Sequence, residues 1–113
     1  MDVRTPPWSV DPVVAGFEWD EANREKCQVH GVSVAAIEAC FQHPISVFPD
    51  PIHSQSETRF KAIGKTSRGR NVLIVFTLRT RAGQTFIRPI SARYMHAKEV
   101  RHYEAEAAKA EKR

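Results

Sequence analysis

The sequence predicts an α+β fold in which a mainly antiparallel sheet is covered by an N-terminal pair of helices and a C-terminal helix. Three observations predict this class. A short strand pattern is followed by two helical patterns, four strand patterns joined by short turns come next, and a charged amphipathic helix closes the chain. Consecutive strands with short connections pair antiparallel. A chain of 113 residues is expected to form one domain around one core.

The domain is expected to span residues 14–108, between two tails. Residues 1–13 contain three prolines, which remove backbone donors and disfavour helix, so this segment is predicted to be irregular. Residues 109–113 are expected to form a charged C-terminal tail. No apolar run approaches the roughly 20 residues that cross a bilayer, and no signal-peptide pattern is present. A cytoplasmic location is therefore expected.

Start and stop signals define the first three elements. A strand is predicted over residues 15–19 from its alternating aromatic residues. Asp20 is the expected N-cap of a first helix that ends near His30, and Ser33 is the expected N-cap of a second helix that ends before Pro44. This helical pair has an apolar stripe with which it can cover a sheet.

The remaining sequence predicts four strands and a helix. The strands are expected at residues 45–48, 59–65, 71–78 and 85–92, and the helix from about His96 to Ala108. The third of these strands is almost continuously apolar, which is typical of a central strand that is covered on both faces. Pro89 lies inside the last strand and must occupy a bulge or an open edge, because it has no N–H to donate.

Charge is distributed unevenly along the chain. Residues 1–57 carry a net charge of −6, whereas residues 58–103 carry +10 and contain Glu99 as their single acid. Either the acidic half folds back against the basic half, or the basic half faces a polyanion such as RNA. The two arrangements are compatible. A solvated basic face that only aids solubility is the structural alternative.

The sequence contains no recognisable metal-binding or redox motif. Its five histidines fall in different predicted elements, and none has the spacing that presents metal ligands together. Cys27 and Cys40 form no CxxC pair and are expected to be buried, reduced thiols. We expect neither a metal nor another cofactor.

Arg93, Tyr94 and His96 bring a cation, a phenol and an imidazole together after the last predicted strand. Cleavage of RNA without a metal needs cations that stabilise the charge on phosphorus and groups that transfer protons. Arg93, helped by Arg79, is predicted to supply the charge, and His96 or Tyr94 to transfer protons. The predicted RNA-backbone contacts are Arg59, Lys65, Arg68, Arg70, Lys98 and Arg101.

Each catalytic candidate also has a structural interpretation. Arg93 could pair with an acid of the first helix. Tyr94 could belong to the core, with only its hydroxyl at the surface. His96 could be an N-terminal helix residue that hydrogen-bonds to nearby backbone.

An ordered set of short motifs resembles the BrnT family of bacterial toxins over about residues 15–106. The motifs are Phe17-Glu-Trp-Asp20, His30-Gly-Val-Ser33, His53-Ser54, Arg59-Phe60 with Ala62-Ile-Gly64, Val75-Phe-Thr-Leu-Arg79, and Ile90-Ser-Ala-Arg93 before a basic helix that ends in Tyr103-Glu104. The ordered set is specific, although no single motif would suffice.

The resemblance implies a RelE-like fold and a ribonuclease toxin that inhibits translation. It also implies an antitoxin with a ribbon-helix-helix domain, through which alone the complex would contact operator DNA. By resemblance, Arg93, the other strand and turn arginines, and His30 are the expected functional positions. The family pattern has lysines where this chain has Asn23 and Val29. Activity is expected to be weaker here if those lysines bind RNA.

Two other functions fit the sequence. The protein could be a non-catalytic module whose basic sheet docks an acidic partner or DNA within a repressor complex. It could also be a degenerate toxin that is retained as a folded domain. Growth arrest on expression without the neighbouring gene would favour the active toxin.

Overall fold

The structure is a computed structural model that describes residues 14–51 and 57–111. Its elements are β1 Val14–Phe17, α1 Glu21–Gln28, α2 Val34–Cys40, β2 Ser46–Pro49, β3 Arg59–Lys65, β4 Asn71–Arg81, β5 Gln84–Tyr94 and α3 Ala97–Glu111. The α+β class and the predicted order of elements are confirmed. The predicted N-terminal tail and most of the predicted loop at residues 53–57 lie outside the described residues.

The five strands form one mixed sheet in the order β1-β5-β4-β3-β2. The strands β2 to β5 pair antiparallel with their neighbours, as predicted. β1 instead pairs parallel with β5, so that Phe17 lies opposite Ile87. The expectation of a mainly antiparallel sheet therefore needs one correction. The first strand lies beside the last strand and runs in the same direction, which makes the sheet mixed.

Side-chain caps begin the first two helices where the sequence predicts them. The Asp20 carboxylate accepts a hydrogen bond from the Asn23 backbone N–H at 3.0 Å, and the Asn23 side chain accepts one from the Asp20 N–H at 2.7 Å. This reciprocal pair is a capping box. At α2 the Ser33 hydroxyl accepts from the Ala36 N–H at 3.1 Å. Both predicted N-caps are therefore confirmed.

The amide of Asn23 also fastens α1 to the sheet. Its side-chain N–H group donates to the backbone oxygens of Glu18 at 3.0 Å and Pro89 at 2.8 Å. Only 5% of the residue is exposed, so these hydrogen bonds satisfy an amide that would be costly to bury alone. At the position where the family resemblance leads us to expect a lysine, this chain has a buried structural amide.

The hydrophobic core lies against one face of the sheet. Phe76 and Ile74 of β4 are fully buried and belong to one cluster with Ile37 and Cys40 of α2. A Cβ atom on Gly64 of β3 would lie 2.8 Å from the Cβ of Cys40, so only glycine allows this close approach. Both thiols are buried, as predicted, and burial raises the pKa of Cys27 to about 11.

β5 contains a bulge at the proline that the sequence singles out. Val75 lies opposite Ser91 and Phe76 lies opposite Pro89, so that β5 has one extra residue between these pairs. Of the two predicted alternatives for this proline, a bulge or an open edge, the structure shows the bulge. Beyond the bulge on either side, Arg88 pairs with Thr77 and Arg93 pairs with Leu73. Both arginines lie on the face opposite the Phe76 core, which we call the arginine face.

The C-terminal helix contacts the edge strand of the sheet through an aromatic residue. The hydroxyl of Tyr103 in α3 forms a hydrogen bond with that of Ser46 in β2. Its ring lies edge-on to Phe48, with the ring centroids 6.4 Å apart. Among the described residues, no helix is long and apolar enough to span a membrane.

The tight turn between β4 and β5 holds one residue in an unfavourable conformation. Ala82 has φ 52° and Gly83 has φ 78°, and the flanking Arg81 and Gln84 are paired. Two positive φ values are typical of a type I′ turn, in which asparagine is preferred at the first position. We expect Ala82→Asn to raise the free energy of unfolding by about 0.5 to 1 kcal/mol, measured by urea denaturation. Ala82→Val should lower it, and equal stability of the two variants would contradict the assignment.

Candidate functional site

Three arginines share one carboxylate at the β1 side of the arginine face. The Glu18 carboxylate lies 2.9 Å from Nε of Arg81, 3.3 Å from a terminal nitrogen of Arg88 and 3.9 Å from one of Arg79. We call these four residues the Glu18 cluster. The hydrogen bond from Arg81, followed by the charges of Arg81, Arg88 and Arg79, lowers the pKa of Glu18.

Further acids complete the neutralisation of this cluster. Arg88 binds Asp20 at 2.9 Å, and Arg79 binds Glu57 at 3.2 Å. The Nε atom of Arg79 is buried and has no hydrogen-bond partner among the described residues. All three acids come from residues 1–57. In this part of the sheet the acidic half therefore does fold back against the basic half.

A second arginine pair lies at the other end of β5. Both terminal nitrogens of Arg93 donate to the two carboxylate oxygens of Glu99, each at 2.8 Å. Such bidentate pairs are stronger than single hydrogen bonds and fix the orientation of the guanidinium. The partner is thus an acid of α3, and the structural interpretation in which Arg93 pairs with the first helix is wrong.

Glu99 also caps α3. Its carboxylate accepts a hydrogen bond from the His96 backbone N–H at 2.9 Å, and it lies in the first turn of the helix, where negative charge is favourable. The hydrogen bond from Arg93, aided by that from His96, lowers the pKa of Glu99 to about 2. This single acid therefore holds Arg93 and the start of α3 together.

The structure separates Tyr94 from Arg93. The two are successive residues of β5, so their side chains project from opposite faces of the sheet. Tyr94 lies opposite Val72 and packs against the core, and the guanidinium carbon of Arg70 lies 3.7 Å from the centre of its ring. The backbone N–H of His96 donates to the Glu99 carboxylate, and the residue is exposed. Of the two predicted proton-transfer residues, His96 is thus the one that contacts the Arg93–Glu99 pair, through its backbone N–H.

Most of the predicted RNA contacts gather at the Arg93 end of the sheet. Lys65 is the last residue of β3 and pairs with Asn71 of β4, which lies two residues from Leu73, the partner of Arg93. The turn between β3 and β4 carries further cations. The start of α3 adds exposed cations of its own. We call this set the basic end, and its members are Lys65, Arg68, Arg70, Arg93, Lys98 and Arg101. Within the described part of the chain, Glu99 is the carboxylate that forms an ion pair with this set, through Arg93.

Three predicted site residues lie elsewhere. Arg79 is six residues along β4 from Leu73, the partner of Arg93, which corresponds to about 20 Å. Arg59 pairs with Thr77 in the first part of β3, and His30 is exposed in the turn after α1. Arg79 and Arg93 therefore cannot contact the same phosphate.

The sequence interpretation did not include Glu18 or Glu99 among its site residues, and it included Arg88 only as one of the strand arginines. Glu18 and Arg88 meet only because β1 pairs with β5, which no local pattern reveals. Glu99 carried a usable signal, since it is the single acid among the cations of residues 58–103. Among the residues that the structure describes, no three His, Cys, Asp or Glu side chains are grouped as metal ligands.

These features define the class of protein. A small α+β fold whose basic end exposes several cations beside an oriented arginine is suited to binding a polyanion. The family model for the ribonuclease toxin BrnT of type II toxin-antitoxin systems matches residues 19–99, and the chain belongs to that family. The family therefore implies RNA as the substrate and an antitoxin as the partner. A search of curated proteins finds no match to the chain.

The depressed pKa of Glu99 makes the Arg93–Glu99 pair sensitive to acid. A carboxylate whose pKa falls from 4.5 to about 2 on folding stabilises the native state above pH 4.5 and loses this contribution as the pH falls toward 2. We expect Glu99→Gln to lower the free energy of unfolding at neutral pH, with the difference from wild type shrinking below pH 4.5. Urea denaturation of both proteins at several pH values measures this difference in the free energy of unfolding.

Glu106→Gln is the matched control for this prediction, because Glu106 lies on the same helix and forms an exposed ion pair with Lys109 at 3.5 Å. It should change stability little at any pH. An effect of Glu99→Gln that does not vary with pH would contradict the role of its charge.

Proposed function

We propose that this protein is a metal-independent endoribonuclease toxin that cleaves RNA at the basic end and thereby inhibits translation. The observation that carries the proposal is the guanidinium of Arg93, oriented by Glu99, whose carboxylate also accepts a hydrogen bond from the backbone of the exposed His96, at an end of the sheet with further exposed cations. Arginine donors can stabilise the negative charge that develops on phosphorus, which a metal ion would otherwise do.

In the proposed reaction, the neutral imidazole of His96 takes the proton of an RNA 2′-hydroxyl. The 2′-oxygen then forms a bond to phosphorus, the bond from phosphorus to the 5′-oxygen breaks, and solvent protonates the leaving oxygen. Arg93 donates hydrogen bonds to the phosphoryl oxygens as their charge increases. Glu99 holds Arg93 in place before the substrate binds. Tyr94 lies on the opposite face and does not take part in proton transfer.

The remaining predicted residues contact the RNA strand away from the cleaved bond. Lys65, Arg68, Lys98 and Arg101 are exposed and bind backbone phosphates through charge, which makes binding sensitive to salt. Arg79 lies too far from Arg93 to share its phosphate, so its proposed contact is with a phosphate farther along the strand.

The resemblance to BrnT toxins supports the rest of the proposal. We assign the fold as RelE-like, in keeping with the antiparallel arrangement of β2 to β5. The proposed antitoxin contains a ribbon-helix-helix domain, covers the basic surface and alone contacts operator DNA. A toxin that acts on cellular RNA would work in the cytoplasm.

Cleavage of labelled RNA by the purified protein in EDTA tests the activity and its independence from metals. We expect Arg93→Ala to slow cleavage by about 100-fold or more, as loss of one donor to a developing oxyanion typically does. His96→Ala should slow it as well, because the variant lacks the proposed proton acceptor. Circular dichroism verifies that each variant is folded.

Arg24→Ala is the control, because Arg24 is an exposed arginine of α1 outside the basic end. It should cleave at the wild-type rate. Unchanged cleavage by a folded Arg93→Ala protein would overturn the assignment of Arg93. If the wild type binds nucleic acid but neither cleaves RNA nor arrests growth, the non-catalytic binding module becomes the better description.

A further inference from the structure

We propose that Arg70 and Tyr94 together form a stacking platform for one unpaired base of the bound RNA, a role that rests on the proposed function. Single-stranded RNA is recognised largely through bases that stack on aromatic rings or on the planar guanidinium of arginine. In the basic end, the guanidinium of Arg70 is such a plane, and the ring of Tyr94 beneath it holds it in position. It lies on the opposite face of the sheet from Arg93.

The geometry of the pair makes it a platform rather than a flexible charge. The guanidinium carbon of Arg70 lies 3.7 Å from the centre of the Tyr94 ring, a distance typical of stacking. Tyr94 is packed against the core and paired with Val72, so the ring beneath the guanidinium is fixed. Arg70 itself is exposed, which leaves its outer side open to solvent.

Arg70 suits a base better than the neighbouring arginines do, because its side chain is ordered before the RNA binds. A free arginine loses side-chain entropy when a base stacks on it, whereas Arg70 has already been ordered by Tyr94. Its positive charge and its planar surface are therefore both available. Arg68, in the same turn, is exposed and suited to a phosphate contact.

The platform lies within reach of the same RNA strand that Arg93 binds. Arg93 and Tyr94 are adjacent at the end of β5, and their side chains project from its two faces. A strand that crosses the end of the sheet can therefore place its cleaved phosphate at Arg93 and a nearby base on Arg70. This base stacks without hydrogen-bond readout, so purines, which have the larger ring surface, should bind more tightly than pyrimidines.

The test is equilibrium binding of short 2′-O-methyl oligonucleotides, which lack the attacking hydroxyl and cannot be cleaved. We expect Arg70→Lys to weaken binding of oligoadenylate by about fivefold to 100-fold, the range associated with the loss of one stacked base. Oligouridylate should lose less. Lysine keeps the charge, so the dependence of affinity on salt concentration should stay unchanged.

A second variant removes the other half of the platform. Tyr94→Leu keeps an apolar side chain against the core but removes the ring, and it should weaken oligoadenylate binding to a similar extent. The double variant should be no weaker than either single variant, because both remove one platform. Arg70→Lys alters an exposed side chain and keeps the test valid if Tyr94→Leu does not fold.

Arg24→Lys is the matched control, since Arg24 also lies over an aromatic ring, that of Trp19 at 5.8 Å, but outside the basic end. It should bind oligoadenylate as the wild type does. If Arg70→Lys binds like the wild type while the wild type binds and cleaves RNA, the platform is overturned and the proposed function stands. If the wild type neither binds the oligonucleotide nor cleaves unmodified RNA, both proposals fail.

Discussion

The bidentate pair between Arg93 and Glu99 determines how the chain passes from its last strand into its last helix. One carboxylate accepts two hydrogen bonds from the guanidinium and a third from the backbone N–H of His96, the residue that precedes α3. The strand end and the helix start are therefore fixed relative to each other by three hydrogen bonds. The orientation of α3, and with it the positions of Lys98 and Arg101, depends on this contact.

The uneven charge of the sequence is resolved differently at the two ends of the arginine face. In the Glu18 cluster, acids from the N-terminal half neutralise three arginines, so that the N-terminal half is attached to the sheet by ion pairs as well as by the core. At the basic end the chain provides one ion-paired carboxylate within its described residues. The first end is neutralised within the fold, and the second retains a positive potential.

Local signals predicted most of the elements but not all of their partners. Asp20 and Ser33 define helix starts through short-range hydrogen bonds, and such signals can be read directly from the sequence. The parallel pairing of β1 with β5 joins residues that are 70 or 71 positions apart, so neither that pairing nor the Glu18 cluster could be predicted. Tyr94 was grouped with Arg93 because the strand was expected to end at Ala92. β5 continues to Tyr94, and its alternation separates the two side chains.

The bulge in β5 explains why Arg88 and Arg93 share a face although they are an odd number of residues apart. In a regular strand, two residues separated by five positions project in opposite directions. The extra residue, Ile90, shifts the alternation of side chains in the rest of β5 to the other face. The Asn23 amide donates to the carbonyl of Pro89, beside this bulge. Deleting Ile90 would keep every functional side chain in the sequence, yet turn the guanidinium of Arg93 toward the core and the Tyr94 ring toward the arginine face. This one extra residue thus determines from which face of the sheet Arg93 and Tyr94 project.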